Sequence, residues 1–227
     1  MLSVAGFCLV VSGCLDGSED IRIESDGSGQ ASFDYFLPAA AVASQGGDEA
    51  LRAPLESWIR SEPGLHLESL EVSNQGESTR LHVELRFDSV QDLIRAVTGE
   101  GSTKLPGAMR HLLGTFQFVQ NGRHIEFSRT VHPVEALGGS LLLVPQDDLA
   151  RHHLHYRIAL PVKPDTHNAT STEDDGRTLV WDIRLDKAVK SPPKLEFTAT
   201  LPIPWWLWSA GGLAVIGILA IGARLRR

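Results

Sequence analysis

The sequence predicts an α+β protein: a mainly antiparallel sheet of hairpins with two helices packed on it, plus one C-terminal transmembrane helix. Three observations lead there. Four segments alternate apolar and polar residues with period two, the mark of strands with one wet face. Three short Asn/Asp/Gly-containing stretches separate such segments as hairpin turns do. From Trp205 to Ala223, 19 residues pass without a charge.

The elements follow in chain order. Asp26-Gly27-Ser28-Gly29 joins a strand at 21–25 to one at 31–37. A helix follows, with Leu51, Leu55, Trp58 and Ile59 on one face. Pro54 suits a first turn better than a helix interior, which sets the expected start near Arg52. Asn74-Gln75-Gly76-Glu77 then joins strands at 67–73 and 79–87, where Leu81, Val83, Leu85 and Phe87 alternate with charged and polar residues. Ser89, with Asp92 three residues on, caps a second helix; Leu93, Ile94 and Val97 form its apolar side and Gly99 ends it. A further short helix is possible over 106–113. Asn121-Gly122 joins strands at 116–120 and 123–130. The stretch 132–151 has no clear pattern. Three strands close the domain: Leu154–Leu160, then Leu179, Trp181, Ile183 and Leu185 inward with Val180, Asp182 and Arg184 outward, then Leu195–Leu201. A polar loop, 165–177, separates the first two. It contains Asn168-Ala169-Thr170, a formal glycosylation sequon that carries no meaning in a bacterial protein.

The ends define topology. At 1.5 Å rise per residue the apolar run is about 28 Å long, matching a hydrocarbon core of about 30 Å. Trp205, Trp206 and Trp208 form an aromatic belt at its start. Arg224, Arg226 and Arg227 follow it and place the tail in the cytoplasm by the positive-inside rule. At the other end, apolar Leu2–Val11 reads as a signal-peptide core and runs into Val11-Ser12-Gly13-Cys14, a lipobox-like sequence that makes Cys14 the lipidation candidate. The expected organisation is 1–14 signal peptide and lipobox, 15–203 extracytoplasmic domain, 204–223 membrane helix and 224–227 cytoplasmic tail. The domain reads either as one unit or as a ββαββα-type part, 15–130, with a membrane-proximal β part, 150–203.

Composition narrows the function. The formal charge is −7, and three of the positive charges sit in the last four residues, leaving −10 for the rest. An acidic domain excludes a phosphate-binding surface and so a nucleic-acid partner. The two cysteines, Cys8 and Cys14, both precede the domain, so it has neither disulfides nor thiol chemistry. No G-x-S-x-G, H-E-x-x-H or P-loop motif occurs. His152-His153-Leu154-His155 puts His153 and His155 on one strand face, a weak metal candidate because two imidazoles fall short of a ligand set and Arg157 beside them repels a cation. Asp147-Asp148 and Glu173-Asp174-Asp175 lack the spacing of a calcium loop. Trp58 and Trp181 sit on apolar faces, as core or as the lining of a ligand pocket.

The lipobox Cys14, the hairpin at Asp26-Gly27, the strand end Leu160-Pro161 and the Trp181 strand before a membrane helix together resemble the LppM-type bacterial membrane-anchored lipoproteins. The chain departs from that pattern at Val162, where the family carries a glycine. The resemblance implies an extracytoplasmic α+β domain that binds something apolar, and no catalytic residues. The expected function is a non-catalytic binding or scaffolding module of the cell envelope, in the cytoplasmic membrane with its domain outside, without a cofactor. It would touch membrane lipid through the helix and an acylated Cys14, and take a lipid, peptide or protein partner. An envelope hydrolase or metal-dependent enzyme is the alternative.

Overall fold

The computed structural model describes residues 16–44, 46–99, 105, 107–137 and 144–201. Cys14, the three tryptophans after Pro204 and the terminal arginines lie outside them, and with them the signal-peptide, lipidation and membrane-helix expectations. Among the described residues no helix is long and apolar enough to cross a membrane.

The chain opens with β1 (Asp16–Ile23) and β2 (Gly29–Pro38), then α1 (Ala39–Ser44), α2 (Asp48–Ser61), β3 (Leu65–Gln75), β4 (Ser78–Phe87), α3 (Val90–Thr98) and α4 (Gly107–Leu113). It continues through β5 (Thr115–Asn121), β6 (His124–Thr130), α5 (Pro133–Leu137), α6 (Gln146–Leu149) and β7 (His153–Ala159). Two short strands, β8 (Thr166–His167) and β9 (Ser171–Glu173), precede β10 (Thr178–Arg184), α7 (Leu185–Ala188) and β11 (Lys194–Thr200). All three turn signals form hairpins. In the first, Gly27 takes φ 88°, and Asp26 Oδ1 accepts from the Ser28 amide at 3.0 Å, so side chain and glycine together set the reversal.

The α+β class and the mainly antiparallel pairing hold, but the expectation of one sheet with two helices needs correction. There are two sheets: one of seven strands in the order β3-β4-β2-β1-β7-β10-β9, and one of four in the order β5-β6-β11-β8. The pair β1–β7 is parallel, Ile21 standing opposite Ile158. Alternation reports that one face is wet; it does not report strand direction or which strands share a sheet. Strands of 150–203 pair with strands of 15–130 in both sheets, β7 with β1 and β11 with β6. The polar loop 165–177 contributes β8 and β9; the short helix expected over 106–113 forms as α4, and four further α-helices, α1, α5, α6 and α7, form among the described residues.

Register explains the layering. Ala31, Tyr35 and Leu37 of β2, Leu81, Val83, Leu85 and Phe87 of β4, and Leu154, Tyr156 and Ile158 of β7 are all buried and share one face of the large sheet. Arg80, Glu84, Arg86, Asp34, His155 and Arg157 hold the other face. Helix α2 buries Leu51, Leu55, Trp58 and Ile59 as its periodicity predicts, yet it begins at Asp48 with Pro54 inside. A proline there removes one helical hydrogen bond, a loss that burial of four large side chains offsets. Val180, expected to point outward, is buried as well, and Leu185 starts α7 instead of extending β10. Ser89 caps α3, its side chain accepting from the Asp92 amide at 3.1 Å. Ser89→Ala should cost about 1 kcal/mol in a denaturant melt; an unchanged midpoint would show the cap to be idle.

Candidate functional site

An apolar cleft of about 250 Å³ lies between the two sheets. The large sheet contributes Ile21 and Ile23 from β1 and Ile158, Leu160, Pro161 and Val162 from the end of β7. The small sheet contributes Phe116 and Phe118 of β5, Ile125 and Phe127 of β6, and Phe197, Ala199 and Leu201 of β11 and its end. Helix α3 closes the side with Val90, Leu93 and Ile94. These α3 side chains are half-buried, and Ala96 is its one buried residue. The apolar stripe read from the sequence is therefore shared: Leu93 and Val97 pack against the core, while Leu93 and Ile94 also border the cleft. A second depression, about 480 Å³, lies on the small sheet among Gln117, Val119, Glu126, Ser128, Lys194 and Glu196; it is more open, and polar and apolar groups are mixed along it. Ligand pockets are apolar with few polar groups, so by its lining the cleft between the sheets is the better candidate; its volume is below that of a usual pocket and gives room for a single slender chain.

The mouth is defined by a chain of contacts. The Val90 amide donates to the Gly27 carbonyl at 2.9 Å. Gln91 Nε2 donates to Gln120 Oε1 at 3.4 Å. Leu201 and Arg123 exchange two bonds: the Leu201 amide donates to the Arg123 carbonyl at 2.8 Å, and Arg123 Nε to the Leu201 carbonyl at 2.6 Å. The first hairpin turn, the start of α3, the β5–β6 turn and Leu201 thus gather at one end of the molecule. Glu24, Ser25, Asp26, Gln91 and Gln120 supply the polar groups there.

The next inward-facing residues on the strands form the floor. Glu19 of β1 and Arg129 of β6 are 2% and 1% exposed. They form a two-pronged ion pair across the sheets: Arg129 Nη2 donates to Glu19 Oε1 at 2.8 Å, and Nη1 donates to Oε2. Tyr35 also donates its hydroxyl proton to Glu19. Arg129 Nε donates to the Leu113 carbonyl at 2.7 Å, and its guanidinium lies 4.9 Å from the Phe116 ring centre and 5.2 Å from that of Tyr156. Burial pulls Arg129 toward neutrality, but the Glu19 carboxylate more than reverses this and holds the guanidinium protonated. Burial, then the Glu19 charge, push both tyrosine hydroxyls above the ordinary phenol value.

Neither tryptophan lines the cleft. Trp58 is 4% exposed on α2 and Trp181 is 2% exposed on β10, so both are core residues. Trp181 Nε1 donates to Asn168 Oδ1 at 2.8 Å; that oxygen also accepts from the Glu196 amide at 2.9 Å, while Asn168 Nδ2 donates to the Lys194 carbonyl at 2.8 Å. The sequon asparagine is thus the tie between β10 and β11, one strand of each sheet.

His153 and His155 do share the outer face of β7. His153 Nδ1 is 2.6 Å from Asp182 Oδ1, and His152 Nδ1 is 2.6 Å from Asp16 Oδ2. Arg157 pairs with Asp20 at 2.9 Å and Glu173 at 3.1 Å. Among the described residues no group of three or more His, Cys, Asp and Glu is placed to hold a metal ion. Changing His153 and His155 to Ala should lower stability by no more than about 1 kcal/mol, the ceiling for exposed pairs. A larger loss, or metal retained through dialysis by the wild type alone, would reopen the metal reading.

No family model matches the chain, and no curated protein matches it. Among solved structures it is similar to the NMR structure of the folded domain of the Mycobacterium tuberculosis LppM protein, with 10% identity over 84% of this chain and 91% of that chain, at a TM-score of 0.49. This is the protein type that the sequence layout resembles. The likeness is one of layout, and the functional reading rests on the cleft.

Proposed function

We propose that the chain is a membrane-anchored, extracytoplasmic binding module without catalytic activity, which holds one apolar chain of a lipid or lipid-modified molecule between its sheets. The apolar cleft carries this reading: its walls are aliphatic and aromatic, and its polar groups are confined to the mouth and the sealed floor. The mouth includes Leu201, three residues before the expected membrane segment 204–223, so the opening lies where the chain would enter the bilayer. An acyl tail could pass between membrane and cleft without crossing much water.

Purification of the full chain from its membranes, followed by mass spectrometry of extracted lipids, tests the proposal. The wild type should carry a chain-bearing molecule that Ile94→Trp, which fills the cleft from α3, loses. Equal lipid content in both proteins would remove the cleft from the function. For topology, protease added to spheroplasts should digest the domain; full protection would place it in the cytoplasm.

A further inference from the structure

The polar groups at the mouth have one chemical bias. Glu24 and Asp26 bring two carboxylates, Ser25 a hydroxyl, and Gln91 and Gln120 two amides; no Lys, Arg or His lines the cleft among the described residues. Asp26 accepts from both the amide and the hydroxyl of Ser28, at 3.0 and 2.7 Å, and these bonds hold its carboxyl below the usual carboxylate range. It is therefore ionised at neutral pH. The Glu24 carboxylate makes no hydrogen bond or ion pair within the described residues and stands exposed at the turn. The Arg129 guanidinium cannot serve as a counter-charge for an incoming head group, because it lies on the floor and is already paired with Glu19.

A chain lying between Ile23, Phe118 and Ile94 would hold its head beside these two carboxylates. A carboxylate or phosphate head would meet two carboxylates, and the Arg123 guanidinium at the mouth is already engaged with the Leu201 carbonyl. An ammonium head would meet two acceptors, one of them unpartnered. We infer that the cleft selects single-chain amphiphiles with a cationic, amine-bearing head and discriminates against anionic ones. This rests on the cleft reading proposed above and adds the class of head group. Two carboxylates near a solvated head each contribute a modest Coulomb term, so the selectivity should be about tenfold at low salt and shrink as salt is added.

The test uses the full chain in an uncharged amphipathic polymer, with the uncharged dye Nile red reporting occupancy of the cleft. Octylamine, octanol and octanoate share one chain length and differ in head charge at pH 7. Octylamine should displace the dye about tenfold more effectively than octanoate, with octanol between them. The double substitution Glu24→Gln, Asp26→Asn, on exposed positions, should bring the three together. Ile94→Trp should abolish the displaceable signal for all of them. Octanoate displacing as well as octylamine, or selectivity unchanged in the double variant, would overturn the head-group inference and leave the cleft reading standing. Displacement that is the same in wild type and Ile94→Trp would instead overturn the cleft reading itself.

Discussion

Arg129→Met should destabilise the protein by about 3–5 kcal/mol, because it strands the Glu19 carboxylate between the sheets without its counter-charge. Against a total stability of about 5–15 kcal/mol for a typical domain, this would leave the variant close to unfolding at ambient temperature. Denaturant melts of the purified chain measure it. The loss is not the worth of the pair. Glu19→Leu, Tyr35→Phe and Arg129→Met combined remove the charge, the hydroxyl that donates to it and the guanidinium together, and should be more stable than Arg129→Met alone. A single variant as stable as wild type would mean that Glu19 takes up its proton or finds water at little cost. A triple variant worse than the single would mean that the network contributes net stability, through the Leu112 and Leu113 carbonyls that Arg129 also serves.

Trp181→Ala comes second, with an expected loss of about 3–5 kcal/mol, the range for truncating a buried large aromatic. Its indole ring fills the core of the large sheet, and its N–H holds Asn168, which in turn holds the β11 backbone. Trp181→Phe separates these roles: it keeps most of the ring and gives up the hydrogen bond, so about 1 kcal/mol should be lost. Asn168→Ala should cost more than Trp181→Phe, since it breaks three bonds rather than one. If Trp181→Ala melts like wild type, the core placement of the ring is wrong.

Much of the secondary structure was legible because alternation and turn chemistry are local. Leu81 to Phe87 and Leu154 to Leu160 show their inward faces directly, and Asp26-Gly27 and Asn121-Gly122 place their turns to the residue. Sheet membership was not legible, since the parallel meeting of β1 with β7 is settled by packing far along the chain. The floor left a readable trace. Glu19 falls in the inward phase of β1 with Ile21 and Ile23, and Arg129 falls in phase with Ile125 and Phe127; a charge of each sign on an apolar face asks for a partner. The cleft left almost none. Val90, Leu93 and Ile94 look like any core-facing helical stripe, and only the three-dimensional packing shows that they also border a cleft. Trp58 and Trp181 drew attention as the largest rings, and size led toward the core instead of the cleft.

The direction of β1 bears on how the domain can sit at a membrane. The strand starts at Asp16, beside His152 and His153, and runs to the turn at the cleft mouth, a length of about 25 Å at the usual strand rise. Leu201 is at the mouth, so Asp16 and Leu201 stand at opposite poles of the described domain. A lipid on Cys14 and a helix over 204–223 inserted in the same bilayer would moor both poles at once. The strands would then lie along the surface like a plank tied at each end, and the cleft would open sideways, parallel to the lipid headgroups. With the C-terminal mooring alone the domain is free to stand upright, its opening turned down into the bilayer. Acylation of Cys14 would thus act as an orientation lock, changing the angle at which the cleft meets lipid and leaving the strength of attachment almost unchanged.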